Sequence, residues 1–197
     1  TFDTAESPQN IRWRKSLAQQ GMLVVGVEFL SEALFSGHHP FPAGLNDCAK
    51  AVRWTHDNRE KLGVSSIIVL GESGGGNLAI ASAIKANKEG WIDNIDGVYA
   101  MAPMLFGFYG TPPPNLMSWR ENLDYMGSHA MMRAMRMAYD PNGENHENPL
   151  AYPFVAKDNE LRGLPPHIIV NYELDLIRDE GVAFAQRLRN SGVDATS

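Results

Sequence analysis

The chain has 197 residues, with 17 basic and 23 acidic side chains and a formal net charge of −6. Hydrophobic residues at 44% and charged residues at 20% give the balance of one soluble globular domain and exclude wholesale disorder. An acidic chain with no basic cluster is unsuited to nucleic acid, its longest apolar runs are too short to cross a bilayer, and its one cysteine, Cys48, excludes an intrachain disulfide and a cysteine-built metal site.

Residues 9–20 carry a weak helical pattern. Residues 22–29 (MLVVGVEF) read as a first buried strand. In residues 43–61, Leu45, Cys48, Ala49 and Val52 recur at helical spacing, and Gly63 stops the helix. Residues 66–70 (SIIVL) form a second apolar run, followed by a short Ala- and Ile-rich helix over 77–88 that closes at Gly90. Residues 97–102 (GVYAMA) and 167–171 (HIIVN) are further buried strands, and a last helix over 180–190 closes at Gly192. None of the strand runs alternates cleanly with polar residues, so both faces of each should be covered, as in a parallel sheet with helices on both sides. This alternation predicts the α/β class with a doubly wound, mostly parallel sheet.

Residues 103–166 break the rhythm as a Pro- and Met-rich insertion near the pocket. Within it Met131, Ala134, Met135 and Ala138 share one helical face. That face either packs on the core or roofs a pocket with adaptable methionines.

The run SIIVL leads straight into Gly71-Glu72-Ser73-Gly74-Gly75-Gly76-Asn77-Leu78-Ala79. A phosphate-binding P-loop needs Lys and Ser/Thr where Asn77 and Leu78 stand. A dinucleotide fingerprint fits Gly74, Gly76 and Ala79, but its acidic partner must end the next strand, and Asp96 precedes that strand. The third reading is G-x-S-x-G, a nucleophile elbow. It places Ser73 on a strained strand-to-helix turn, with Gly71 and Gly75 bare because strand and helix approach closely. The helix start beneath offers unpaired N–H groups, and the Gly74 N–H points to where an oxyanion would form. The bland reading is a glycine-rich turn with an incidental serine.

A nucleophilic serine needs a base and an orienting acid, in the chain order Ser, acid, His. Asp175 stands in the loop after the 167–171 strand, with Glu173 and Asp179 as rivals. Glu173 is too close to the strand, and Asp179 looks like a first-turn helix residue. Histidines occur at 38, 39, 56, 129, 146 and 167, and none follows Asp175. His38 and His39 are adjacent and point apart, and no metal-ligand spacing such as H-E-x-x-H occurs.

Three blocks carry a family resemblance: residues 39–44 (HPFPAG), 71–78 (GESGGGNL) and 173–181 (ELDLIRDEG). They resemble the hormone-sensitive-lipase-like branch of the α/β-hydrolases, and the bacterial brefeldin A esterase group within it. Residues 139–144 (YDPNGE), 148–153 (NPLAYP) and 161–166 (LRGLPP) are similar to that group too. The resemblance implies an α/β-hydrolase fold, a serine carboxylesterase, Ser73 as nucleophile, Asp175 as triad acid and the Gly74 N–H as an oxyanion donor. It implies a small-molecule ester substrate, no metal or organic cofactor, and dimerisation through a last strand and helix beyond Ser197. It places the catalytic histidine after Ser197 and a His-Gly-Gly-Gly loop before Thr1, so the chain reads as the central portion of such an enzyme. With no signal peptide in view, a cytoplasmic location is expected. Plant gibberellin receptors also resemble this family, having lost the triad histidine, so a non-catalytic ligand-binding protein is the alternative. Two departures stand out. Leu30 occupies the usual place of an arginine, which unsettles the charge balance near Glu28. Leu176-Ile177 replaces Pro-Leu, which should loosen the turn after Asp175.

Overall fold

Strands joined by helices return to the same end of a sheet and so pair in parallel. The computed structural model, which describes residues 6–29, 39–107 and 111–197, has this plan. Strands β1 (Ile68–Glu72), β2 (Gly97–Met101), β3 (His167–Val170) and β4 (Ala195–Thr196) lie in the order β1-β2-β3-β4, all parallel.

Helix α1 is Pro8–Gln19 and buries no residue. Helix α2 (Ala43–Asp57) is separated from the short α3 (Arg59–Leu62) at Asn58, and Gly63 ends α3 at φ +68. The single helix expected over 43–61 is therefore two. The Asn58 N–H and side-chain amide both donate to the Trp54 carbonyl, closing α2 there. Helix α4 (Gly74–Glu89) ends at Gly90, φ +76. Its small side chains let it lie flat on the sheet, with Ala79, Ile80, Ala83 and Ile84 essentially inaccessible. Helix α8 (Arg178–Asn190) buries Phe184, Ala185 and Leu188. Between β2 and β3 come α5 (Ser118–Glu121), α6 (His129–Tyr139) and α7 (Asp158–Leu161).

Helices α4 and α8 enter one core with Val98, Ala100, Ile169 and Ala195. These strand residues share one face of the sheet. The register places Leu70, Tyr99, Ile168 and Thr196 side by side on the opposite face. There Ile68 is 56% exposed, Leu70 42% and Ile168 48%. The expected cover on both faces is met on one face only, among the described residues.

Three further expectations differ. Residues 22–29 form no strand, and Met22, Leu23 and Val25 are exposed. Apolar patterning makes a strand only where a neighbour supplies a ladder, and none of the described strands pairs with this segment. In α6 the buried residue is Met132, while Met131 and Ala134 are exposed. The inward side is therefore turned by one residue from the 131/134/135/138 face. Strand β4 went unforeseen, being only two residues long. Leu30 lies outside the described residues.

A second cluster joins the insertion to the start of α8: Met104, Leu116, Trp119, Met132, Leu176 and Ile177. The insertion's last part returns to the main core through Ala156, Leu161 and Leu164.

Candidate active site

Strand β1 runs into Ser73, and α4 begins at the next residue. Ser73 has φ 54 and ψ −118. A non-glycine residue held there costs about 1–3 kcal/mol and persists only where its surroundings dictate it. Those surroundings are visible. The Ser73 N–H donates to the Met101 carbonyl at 2.9 Å, and the Ser73 carbonyl accepts from the N–H groups of Asn77 (3.0 Å) and Met104 (3.3 Å). The buried Asn77 amide donates to the carbonyls of Met104 (2.8 Å) and Ala151 (2.9 Å), pinning the insertion to α4.

A Cβ on Gly71 would stand 2.1 Å from the Gly75 carbonyl oxygen, so nothing but glycine fits. At Gly75 the expectation is corrected, because a Cβ there meets nothing within 4 Å. The second close approach is one residue later, where a Cβ on Gly76 would lie 3.1 Å from Pro103. The first backbone bond inside α4 runs from the Asn77 N–H to Ser73. The N–H groups of Gly74, Gly75 and Gly76 thus have no acceptor within the helix, and they carry its positive dipole end beside Ser73.

Asp175 sits half-buried in the loop after β3, at the same carboxyl edge of the sheet as Ser73. Its Oδ1 accepts from the Ile177 N–H at 3.1 Å. Burial raises its carboxyl above the usual range, the N–H groups of Ile177 and Leu176 pull it down, and the charge of Glu72 pushes it up again. The Asn122 amide bonds the carbonyls of both Glu173 and Asp175 at 2.9 Å and fixes the loop from outside. Leu176 and Ile177 are buried, so the loosening expected of this pair is replaced by anchorage in the second cluster.

Of the rivals, Glu173 is exposed. Asp179 lies in the first turn of α8, accepting from the Ser118 N–H (2.8 Å) and the Arg178 Nε (2.8 Å). Burial opposes its ionisation, but the bonds from Arg178, Ser118 and Met117 prevail and hold its carboxyl below the usual range. Two carboxylates escaped the sequence reading. Glu180 is inaccessible and accepts from the N–H groups of Leu105 and Phe106 (both 2.7 Å) and from Trp119 Nε1 (2.9 Å). Glu72, next to Ser73, accepts from the Tyr172 hydroxyl at 3.0 Å.

The described histidines stand elsewhere. His167 opens β3, at the far end from Asp175, where Nδ1 faces the Pro165 carbonyl at 2.7 Å and burial pushes its pKa down to about 4. His129 Nε2 lies 2.8 Å from the Trp119 carbonyl, and His146 Nδ1 lies 3.1 Å from that of Gly143. His56 Nε2 accepts from Arg59 at 2.6 Å. His39 is half-buried just before Pro40, and His38 lies outside the described residues. Among the described residues no helix is long and apolar enough to cross a membrane.

A family model described as the alpha/beta hydrolase fold matches residues 10–197. The chain belongs to the α/β-hydrolase fold family. Among solved α/β-hydrolase structures, brefeldin A esterase, described as a bacterial homologue of human hormone-sensitive lipase, matches with a TM-score of 0.94 and 46% identity over 98% of this chain and 55% of that one. An arylesterase of Saccharolobus solfataricus is 32% identical over 162 residues, 81% of this chain and 50% of its own. A gibberellin receptor of Arabidopsis thaliana is 25% identical over 183 residues, 88% of this chain and 48% of its own. The chain thus spans about half the length of these α/β-hydrolase relatives.

Proposed function

We propose that the intact protein carrying this chain hydrolyses carboxylic esters through an acyl-enzyme on Ser73. The observation that carries this reading is the backbone of Ser73, held at φ 54 between β1 and α4 where Gly71 touches Gly75. Such a turn lifts the hydroxyl clear of the sheet and places it beside unpaired N–H groups. The Ser73 Oγ attacks the ester carbonyl while a histidine takes its proton, and the oxyanion meets the Gly74 N–H. Collapse of the tetrahedral intermediate expels the alcohol, which receives that proton. Water then adds to the acyl-enzyme by the same route, releasing the acid and restoring Ser73. Asp175 orients the imidazole and stabilises its protonated form. We assign that base to none of the six histidines at 38, 39, 56, 129, 146 and 167. The substrate is a small ester, in keeping with the esterases among the relatives, and the scheme uses no metal or organic cofactor.

The test is performed on the intact protein with a fluorophosphonate and a short-chain p-nitrophenyl ester. Mass spectrometry should find the label on Ser73, and Ser73→Ala should abolish hydrolysis. A Ser73→Ala protein retaining more than a few per cent of the activity refutes the nucleophile. Asp175→Asn should lower kcat by about 10⁴, the loss typical of a triad acid. Asp179→Asn should cost less than about tenfold if it serves only the start of α8, and the reverse ranking moves the acid to Asp179. A second reading, ligand binding without turnover, draws on the likeness to a gibberellin receptor. It gains the field if Ser73 takes no label while the protein holds a small ligand.

A further inference from the structure

Strands β1 and β3 are not neighbours, since β2 lies between them. At the carboxyl edge Met101 of β2 pairs with Glu72 on one side and with Val170 on the other. Past that row one bond remains on each side, from the Ser73 N–H to the Met101 carbonyl (2.9 Å) and from the Ala102 N–H to the Val170 carbonyl (2.7 Å), and Ala102 then turns away at φ 39. The loops carrying Ser73 and Asp175 leave the sheet there with no backbone bond between β1 and β3. Among the described residues a side-chain bond spans the gap: the Tyr172 hydroxyl donates to Glu72 Oε1 at 3.0 Å. Glu72 is the residue before Ser73, and Tyr172 comes three residues before Asp175. Both are half-buried, so water competes less for the bond than it would on an open surface.

We infer that Glu72 and Tyr172 form a strut over the end of β2 that sets the distance between the nucleophile turn and the acid loop, and that the Glu72 carboxylate is a second negative charge acting on whatever base Asp175 holds. The inference rests on the reading of Ser73 and Asp175 given above, and it makes both strut residues positioning residues. The titratable groups acting on the Glu72–Tyr172 pair are Asp175, which couples to both partners, and Tyr99, which couples to Tyr172. Among the described residues no cation pairs with it. The Tyr172 hydroxyl is held protonated, first by burial and then by its bond to Glu72 and the charges of Glu72 and Asp175. It therefore remains a donor throughout the neutral range. An anion near the site, with no cationic partner among the described residues, favours the protonated form of a neighbouring base.

Two conservative variants separate the parts of the strut. Tyr172→Phe removes the bond and keeps the charge. Glu72→Gln removes the charge and keeps an acceptor for Tyr172. In the intact protein, kcat/KM for a p-nitrophenyl ester and the rate of fluorophosphonate labelling of Ser73 are followed from pH 5 to 9, with thermal unfolding as the check on folding. Tyr172→Phe should slow both rates on the order of tenfold, as a small misplacement of reacting groups does, leaving the acid limb where it is. Glu72→Gln should move the acid limb to lower pH by about half a unit or more, at a smaller cost in maximum rate. Profiles within twofold of the unaltered protein, with unshifted limbs, overturn the strut, and so does a limb that shifts equally in both variants. A Ser73→Ala protein that still turns over ester removes the reading beneath it instead, so the two failures are told apart. A merely structural pair would lower the unfolding temperature without the separation between rate and pH limb.

Discussion

At the scale of single residues, Glu180 shows the sharpest conflict between burial and charge. Desolvation raises its pKa to about 8, against the pull of the Phe106, Leu105 and Trp119 donors. With a folded-state value above the unfolded one, the unfolded chain binds fewer protons between about pH 4.5 and 8. The contribution of this group to stability is therefore complete below pH 4.5 and declines as pH rises toward 8, by at most about 1.4 kcal/mol per pH unit. In Glu180→Gln the amide oxygen can serve the two backbone donors, but its NH₂ faces Trp119 Nε1 and leaves one buried donor unmet. That variant should unfold more easily at pH 5, at a cost of about 1–3 kcal/mol. Its denaturant midpoint should also change less between pH 5 and pH 8 than that of the unaltered protein. A midpoint with the same pH slope in both proteins removes Glu180 as the titrating group. Sequence reading singles out Ser73, Gly74 and Asp175 as candidates because each is marked by what surrounds it in the chain: glycines, a preceding strand, an exit loop. Glu180 and Glu72 carry no such mark. Their partners are 61 to 100 positions away in sequence, and only the folded chain brings them together.

At the scale of elements, the close passage of α4 over β1 and β2 depends on which glycines are bare, and the pattern G-x-S-x-G is ambiguous about that. The structure assigns close contact to Gly71 and Gly76 and open space to Gly75. A methyl group at 71 has no room short of moving the Gly75 carbonyl, so Gly71→Ala should give a protein that fails to fold or loses several kcal/mol. Gly75→Ala lies in the first turn of α4 with nothing to strike and exchanges glycine for the best helix former, a gain of up to about 1 kcal/mol. Thermal unfolding of the two variants checks the order, and equal destabilisation would show that the turn is set by something other than these contacts. Helices and strands with a local signature were legible within a few residues, as the closures at Gly63 and Gly90 show. Residues 22–29 misled because strand propensity speaks for a segment that fits a sheet, while a strand exists only with a partner. The inward side of α6 misled because a run of four apolar residues on one helical face does not say which neighbour it meets, and Met132 reaches the cluster of Trp119 and Leu176 instead.

At the scale of the whole molecule, the described helices cover one face of the sheet and, among the described residues, the other face keeps a row of exposed apolar side chains. Burying a Leu or Ile side chain fully is worth about 1.5–3 kcal/mol, and Ile68, Leu70 and Ile168 form a patch with the half-buried Tyr99 between Leu70 and Ile168. Strand β1 is an outer strand of the described sheet, so unpaired backbone groups lie along the rim of the same patch. The net charge of −6 opposes association. At about 0.15 M salt its reach is only about 8 Å, so contact burial outweighs it. The 197-residue chain produced by itself should therefore self-associate, with a light-scattering mass above 21.7 kDa that rises further with salt. Placing charges on the open face in Leu70→Glu and Ile168→Lys should restore the monomer mass and leave the α4 and α8 core intact, since neither side chain enters it. A monodisperse 21.7 kDa species at micromolar concentration and ordinary salt would mean that this face is satisfied within the chain.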